Sequence, residues 1–274
     1  MNLSVSLYSM HPLITSGAMS VGAVIEFFRE NGVEYVELLD IYMPTDADKA
    51  AALDAVTRCG MKVSSYSVTN EFVLGTDADR KQQVQYLIDS CNTAKYFGTS
   101  VMRVFAGNMP PDNSMTFEAC EDLIVGCFKQ CVTHAEQCGI TFCLENHGML
   151  AGKAVQIKRI IDAVASPALK ITADTGNFML VGDDSRNAVK MLLGDIGFVH
   201  FKDIAHTENG VWAGLDGNSY SGTILGNGDV DLPGIATLLN THGYSGCVSI
   251  EYEAQEPDCA AAVRESIAYT QGIM

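Results

Sequence analysis

The feature that most constrains this chain is a repeated change of hydrophobic period. Short β-branched or apolar runs alternate with segments whose apolar residues recur at helical spacing, and the alternation occurs eight times. The strand-like runs fall at 3–8, 35–39, 62–68, 100–105, 141–145, 170–174, 197–201 and 247–252. Gly32, Gly60, Gly98, Gly139 and Gly246 each stand just before a strand-like run. A glycine there supplies the left-handed cap that ends a helix and turns the chain back toward a sheet. Strand, helix and strand in succession imply parallel pairing through crossover helices. Eight such units in 274 residues predict an α/β fold, a (β/α)8 TIM barrel forming a single domain over 1–274. No GxGxxG follows the first strand and no GxxxxGKS or GxxxxGKT is present, which disfavours nucleotide-binding alternatives.

Composition narrows the function classes. A hydrophobic content of 47% supports a large core, and a formal charge of −16 makes a phosphate backbone an unattractive partner. Nine cysteines, an odd number without CxxC pairs, read as reduced thiols; Cys120, Cys127, Cys131 and Cys138 fall on one face of a helix as small core residues. The opening MNLSVSLYSMHPL lacks the charged and apolar regions of a signal peptide, and no apolar run approaches a membrane span. A cytoplasmic enzyme, bound neither to membrane nor to nucleic acid, is the expectation. One connection is out of scale: residues 203–231 are rich in Gly, Asn and Ser and carry the chain's one Trp. Following the seventh strand of a barrel, it would lie over the catalytic mouth.

Four polar residues interrupt apolar strands near their carboxyl ends: Glu145 in FCLENHG, Asp174 in KITADTGN, His200 in FVHFKD and Glu251 in VSIEYE. Carboxylates gathered on one buried rim cannot all ionise without a compensating cation, so a bound metal is the physical reason for the set. Three oxygens and a nitrogen suit Mn²⁺, Mg²⁺, Co²⁺ or Zn²⁺, and the lack of thiolates argues against a structural zinc.

VMRVFAG, LENHG, ADTGNF, VHFKD and LGNGDVD, in that order, make the chain resemble the xylose isomerase-like barrels, a family of sugar phosphate isomerases, epimerases and dehydratases. The resemblance covers essentially the whole chain. It implies that Glu145, Asp174, His200 and Glu251 are the metal ligands, with manganese as the leading ion, that the last glutamate doubles as acid or base, and that subunits associate as homo-oligomers. Two departures stand out. Epimerases of the group commonly carry a His three residues after the metal-binding Asp, where this chain has Asn177, which can bond a sugar hydroxyl but cannot relay a proton. They also tend to carry an Arg shortly after the strand-seven His, and FKDIAHTEN has none.

Other polar residues fall where a substrate would sit. Arg103 lies within the fourth strand and needs an anionic partner, either a site carboxylate or the substrate. His147 is a candidate general base, weighed against a packed or surface histidine. Lys202 is a weaker substrate contact, expected to face away from the barrel interior, and Asp203 is a weak candidate as well. The leading expectation is isomerisation or epimerisation of a small keto-sugar by proton abstraction beside the carbonyl, through a metal-stabilised enediolate, with one or both of Glu145 and Glu251 exchanging protons. Elimination from the same intermediate would make the chain a lyase or dehydratase, including one cleaving 3-keto-glycosides or carbon-glycosides, with His147 as base. A DNA-repair endonuclease is disfavoured by charge and by the six His; a non-catalytic sugar-binding barrel is the remaining rival.

Overall fold

The computed structural model describes residues 1–110, 112 and 114–274. Its strands run β1 Asn2–Ser6, β2 Tyr35–Leu39, β3 Lys62–Ser67, β4 Val101–Val104, β5 Thr141–Glu145, β6 Leu169–Asp174, β7 Ile196–Phe201, β8 Ile204–His206, β9 Trp212–Ala213, β10 Ser219–Gly222 and β11 Cys247–Ile250. The helices are α1 His11–Thr15, α2 Val21–Glu30, α3 Asp46–Arg58, α4 Asp77–Tyr96, α5 Phe117–Cys138, α6 Ala154–Val164, α7 Asn177–Leu180, α8 Ser185–Leu192, α9 Leu232–His242 and α10 Cys259–Ile273. Side-chain oxygens cap α2, α3, α4, α5, α9 and α10; Thr45 with Asp48, and Thr76 with Asp79, form reciprocal capping boxes at α3 and α4.

Eight parallel strands make one sheet in the order β3-β2-β1-β11-β7-β6-β5-β4. The seam between β3 and β4 is drawn together by other bonds. Val68 N–H donates to the Arg103 carbonyl at 3.0 Å, and the Asn70 amide exchanges two hydrogen bonds with the backbone of Phe105 at 2.7 and 2.8 Å. The result is a nearly closed barrel ringed by helices.

Two register slips set which side chains point inward. Val36 pairs with Val63 but Glu37 pairs with Ser65, so Ser64 is the extra residue on β3. Ile171 pairs with Ile196 but Thr172 pairs with Phe198, so Gly197 is the extra residue on β7. A side chain at Gly197 would press to 2.8 Å on Cys143 Sγ and Lys170 Cβ. Such bulges re-aim everything downstream. Here they bring His200 level with Asp174 and with Ser249.

The predicted strands are confirmed with shifted ends. Residues 7–10 leave β1 as a 3-10 turn, β4 is shorter at both ends, and β11 stops at Ile250. Gly32, Gly60, Gly98 and Gly139 take the expected positive φ, but Gly246 does not; Gly243, at φ +79°, caps α9. The nine cysteines are free thiols, with Cys120, Cys127 and Cys131 buried along α5 and Cys138 half-buried. Among the described residues no helix is long and apolar enough to cross a membrane.

The connection after β7 is ordered into a small antiparallel sheet, β8-β10-β9. Asp203 holds its far end. This buried carboxylate accepts from the backbone N–H groups of Gly226, Gly228 and Val230 at 2.8, 3.0 and 3.2 Å. The LGNGDVD stretch is thus pinned by Asp203, whose role is structural.

Candidate metal centre and adjoining cavity

Glu145, Asp174, His200 and Glu251 meet at the carboxyl end of the barrel, all buried, with one ligand-capable atom from each lying within 4.8 Å of the others. In each, the protein contacts the outward atom, and the inward one turns toward the other three residues. Glu145 Oε1 accepts from Asn177 Nδ2 at 3.2 Å. Asp174 Oδ1 accepts from the N–H groups of Gly176 and Asn177 at 2.9 and 2.8 Å, and the Asn146 side chain clamps the Asp174 backbone in both directions. His200 Nε2 lies 3.1 Å from Glu37 Oε1, which directs the Nδ1 lone pair inward when Nε2 carries the proton. Glu251 Oε2 is 3.6 Å from Lys202 Nζ.

Inside this frame His200 Nδ1 stands 3.8 Å from Glu145 Oε2, 3.7 Å from Asp174 Oδ2 and 3.5 Å from Glu251 Oε1. Glu145 Oε2, Asp174 Oδ2 and His200 Nδ1 are deeply buried yet make no hydrogen bond among the described residues. Buried polar atoms are nearly always paired, because desolvating one without a partner costs several kcal/mol. Three such ligand atoms converging on one point, with a third carboxylate, Glu251, beside them, fit a divalent cation held by three oxygens and one imidazole nitrogen.

The electrostatics agree. Burial pushes the Glu145 carboxyl up to about 8, in spite of Arg103 and His200 nearby. Burial also opposes ionisation of Glu251, but His200, Lys202 and Arg103 outweigh it and hold Glu251 well below the usual carboxylate range. His200 is raised well above its ordinary value, the carboxylates around it overcoming burial. Without a metal, protons on Glu145 and His200 compensate the negative charge.

Arg103 finds the carboxylate partner: its Nε is 3.2 Å from Glu145 Oε2, Nη1 donates to the Val68 carbonyl at 3.1 Å, and the guanidinium lies 4.1 Å from the Phe105 ring centre. His147 packs against the same ring, with ring centres 4.4 Å apart. Burial, then the charges of Lys202 and Arg103, lower its pKa to about 4, so it is neutral at physiological pH. The orientation expected for Lys202 is corrected. Two residues along a strand is one full period, so Lys202 shares the face of His200, and its Nζ lies 3.1 Å from Glu253 Oε2 and 5.3 Å from the Trp212 ring centre.

A cavity of about 340 Å³ opens against the centre. Arg103, Glu145, His147 and Glu251 line it; Asn177 and Lys202 reach it through the carboxylates they contact. Three contributors were missed in the sequence: Glu37, Glu253 and Tyr8, the last two lining the cavity. A signal existed for Glu253, because Glu145 and His147, His200 and Lys202, and Glu251 and Glu253 repeat a polar-x-polar pattern at three strand ends.

An eight-stranded barrel with a metal-competent carboxylate–imidazole centre at its carboxyl end defines a class of barrel enzymes. Residues 25–272 match the xylose isomerase-like TIM barrel family, and the chain belongs to it. Over 119 residues it is 28% identical to the 3-oxo-isoapionate decarboxylase of Pectobacterium atrosepticum, a match spanning 43% of this chain and 42% of that relative's length. Among solved structures it is similar to the IOLI protein with a binding zinc atom, with TM-score 0.80, 16% identity and coverage of 100% of this chain and 98% of that one. It is also similar to D-psicose 3-epimerase with D-tagatose from Clostridium cellulolyticum H10, with TM-score 0.79, 13% identity and coverage of 100% and 99%. At these identities the structural likeness establishes the fold.

Proposed function

We propose that this protein is a divalent-metal-dependent isomerase or epimerase of a small keto-sugar, moving a proton at a carbon beside the carbonyl. The observation that carries the reading is the convergence of Glu145 Oε2, Asp174 Oδ2 and His200 Nδ1, all buried and without a hydrogen bond among the described residues, beside a cavity of ligand size. A divalent ion held there by these residues and Glu251, Mn²⁺ first among the candidates, supplies Lewis acidity toward a carbonyl and an adjacent hydroxyl oxygen.

The chain's own residues supply the rest. Glu251, with its Oε2 3.6 Å from the Lys202 ammonium, is the proton acceptor on the cavity wall. Glu145, which lines the same cavity, is the group to return one. Asn177 and Arg103 fix the Glu145 carboxyl, and Arg103 presents its remaining N–H groups to substrate oxygens. Lys202 acts on the substrate side through Glu251 and Glu253. The test is incubation of Mn²⁺-loaded protein with a panel of ketoses and 3-keto-glycosides, followed by mass spectrometry and sugar chromatography. A product of unchanged mass, absent with Glu251→Gln, is expected.

A lyase reading is favoured by one observation, the neutral His147 on the cavity wall, and by the likeness to a decarboxylase. His147 would then take or return the proton while a substituent leaves. Loss of mass from the substrate, abolished in His147→Gln, would replace isomerisation with elimination or decarboxylation.

A further inference from the structure

The inner cavity does not end at the barrel rim. A second and larger groove, about 700 Å³, opens outward from it, and Tyr8 and Glu253 belong to the walls of both. Pockets for small ligands span roughly 300–1,000 Å³, so the inner cavity alone has room for a monosaccharide and the groove has room for a further group attached to it.

The walls of the groove are aromatic and fixed. Tyr8 stacks on His11, with ring centres 5.0 Å apart and planes at 27°, and His11 Nδ1 lies 2.8 Å from Tyr42 Oη. Trp212 faces them from β9 and is steadied by the Lys202 ammonium. Tyr252 is buried and hydrogen-bonds Glu256. Beneath Trp212 the small sheet sits hard against the end of β11: a Cβ at Gly222 would fall 1.8 Å from the Glu253 carbonyl oxygen. The wall is thus set relative to the metal ligands before any substrate arrives, which lowers the ordering cost of binding. Flat faces held in this way recognise the C–H face of a sugar or an aromatic ring. Charge selects further. Glu253 and Glu256 line the groove, no Lys or Arg is among its lining residues, and the nearby Lys202 ammonium is already paired with Glu253 at 3.1 Å, so a phosphate or carboxylate there would meet no free cation.

We infer that the substrate is a glycoside: a keto-sugar ring against the metal ligands, joined to a neutral second ring that lies in the groove against Tyr8 and Trp212. This rests on the sugar reading proposed above and names the substrate class within it.

Trp212 is the chain's one tryptophan, so its emission reports on the groove directly and without turnover. The full chain is titrated with phenyl β-D-glucopyranoside, with cellobiose and with D-glucose. A saturable change in emission is expected with phenyl glucoside or cellobiose, at a Kd about tenfold or more below that for glucose. Which of the two binds tighter tells an aromatic aglycone from a second sugar. Calorimetry with Trp212→Ala should show the preference over glucose collapse. Equal binding of all three ligands would overturn the inference, as would an emission that changes with protein dilution alone, which would mark the groove as covered by a second copy. Because the measurement needs no chemistry, turnover of free ketoses with no groove binding refutes the glycoside, whereas groove binding with no turnover of any keto-sugar refutes the reaction.

Discussion

Glu37 Oε1 lies 3.1 Å from His200 Nε2, and both side chains are fully buried. Ser67 and Ser249 hydroxyls donate to the two oxygens of the same carboxylate, at 2.5 and 2.8 Å. His200, with the carboxylates' attraction overcoming burial, holds Glu37 below its ordinary pKa. This carboxylate therefore stays ionised, fixes the imidazole ring and raises the basicity of Nδ1. Glu37→Gln should fold normally and bind Mn²⁺ or Zn²⁺ about 10–100-fold more weakly. Calorimetric titration checks this; affinity unchanged within a factor of about two would mean that the ring is held by packing alone.

Arg103 and Glu145 form a buried pair whose members depend on each other. Removing one partner of such a pair typically costs about 3–5 kcal/mol, because the other is left buried and uncompensated. Arg103→Met should lose stability on that scale in urea denaturation of the metal-free protein. It should also move Glu145 further up, weakening metal binding at neutral pH more than Glu37→Gln does.

The four residues of the candidate metal centre were legible because each breaks an apolar run near a strand end. Glu37 was not. In VEYVELL a mid-strand carboxylate alternating with apolar neighbours reads as solvent-facing, and its burial depends on partners on other strands, Ser67, His200 and Ser249. Lys202 was legible in principle, since it is one full strand period beyond His200. The connection at 203–231 stood out by its length, but its fold involves bonds from distant backbone N–H groups to Asp203 that its composition does not reveal. Gly243 rather than Gly246 became the cap because α9 ends at His242, three residues earlier than the glycine nearest the strand implies.

Protonation provides a third prediction. Glu145 has a folded pKa of about 8 against an ordinary value of 4.5. A raised carboxyl contributes stability that is complete below the ordinary value and is lost as pH rises through the folded one. Between about pH 4.5 and about pH 8 the metal-free protein should lose this contribution progressively. A metal displaces the proton, so Mn²⁺ binding near neutrality releases protons and the gain in Tm on adding Mn²⁺ widens with pH across the same range. A gain independent of pH would contradict it. His147 has the opposite shift: lowered to about 4, its contribution is present above 6.5 and lost as pH falls through about 4. No limb assignable to His147 should appear near pH 6.5 in the rate profile.

Asp203 yields a prediction about the small sheet. Asp203→Ala leaves the N–H groups of Gly226, Gly228 and Val230 without their acceptor. A loss of roughly 1–3 kcal/mol is expected, with faster amide exchange concentrated at those three residues. Exchange rising evenly across the barrel would point instead to global destabilisation.

The central claim is that one divalent ion sits among Glu145, Asp174, His200 and Glu251. The most direct measurement is anomalous diffraction from crystals grown or soaked with Mn²⁺. The account predicts a single strong peak bounded by Glu145 Oε2, Asp174 Oδ2, His200 Nδ1 and Glu251 Oε1, lost in Asp174→Asn. Crystals that take up Mn²⁺ elsewhere, or not at all while the four side chains keep their places, would contradict it.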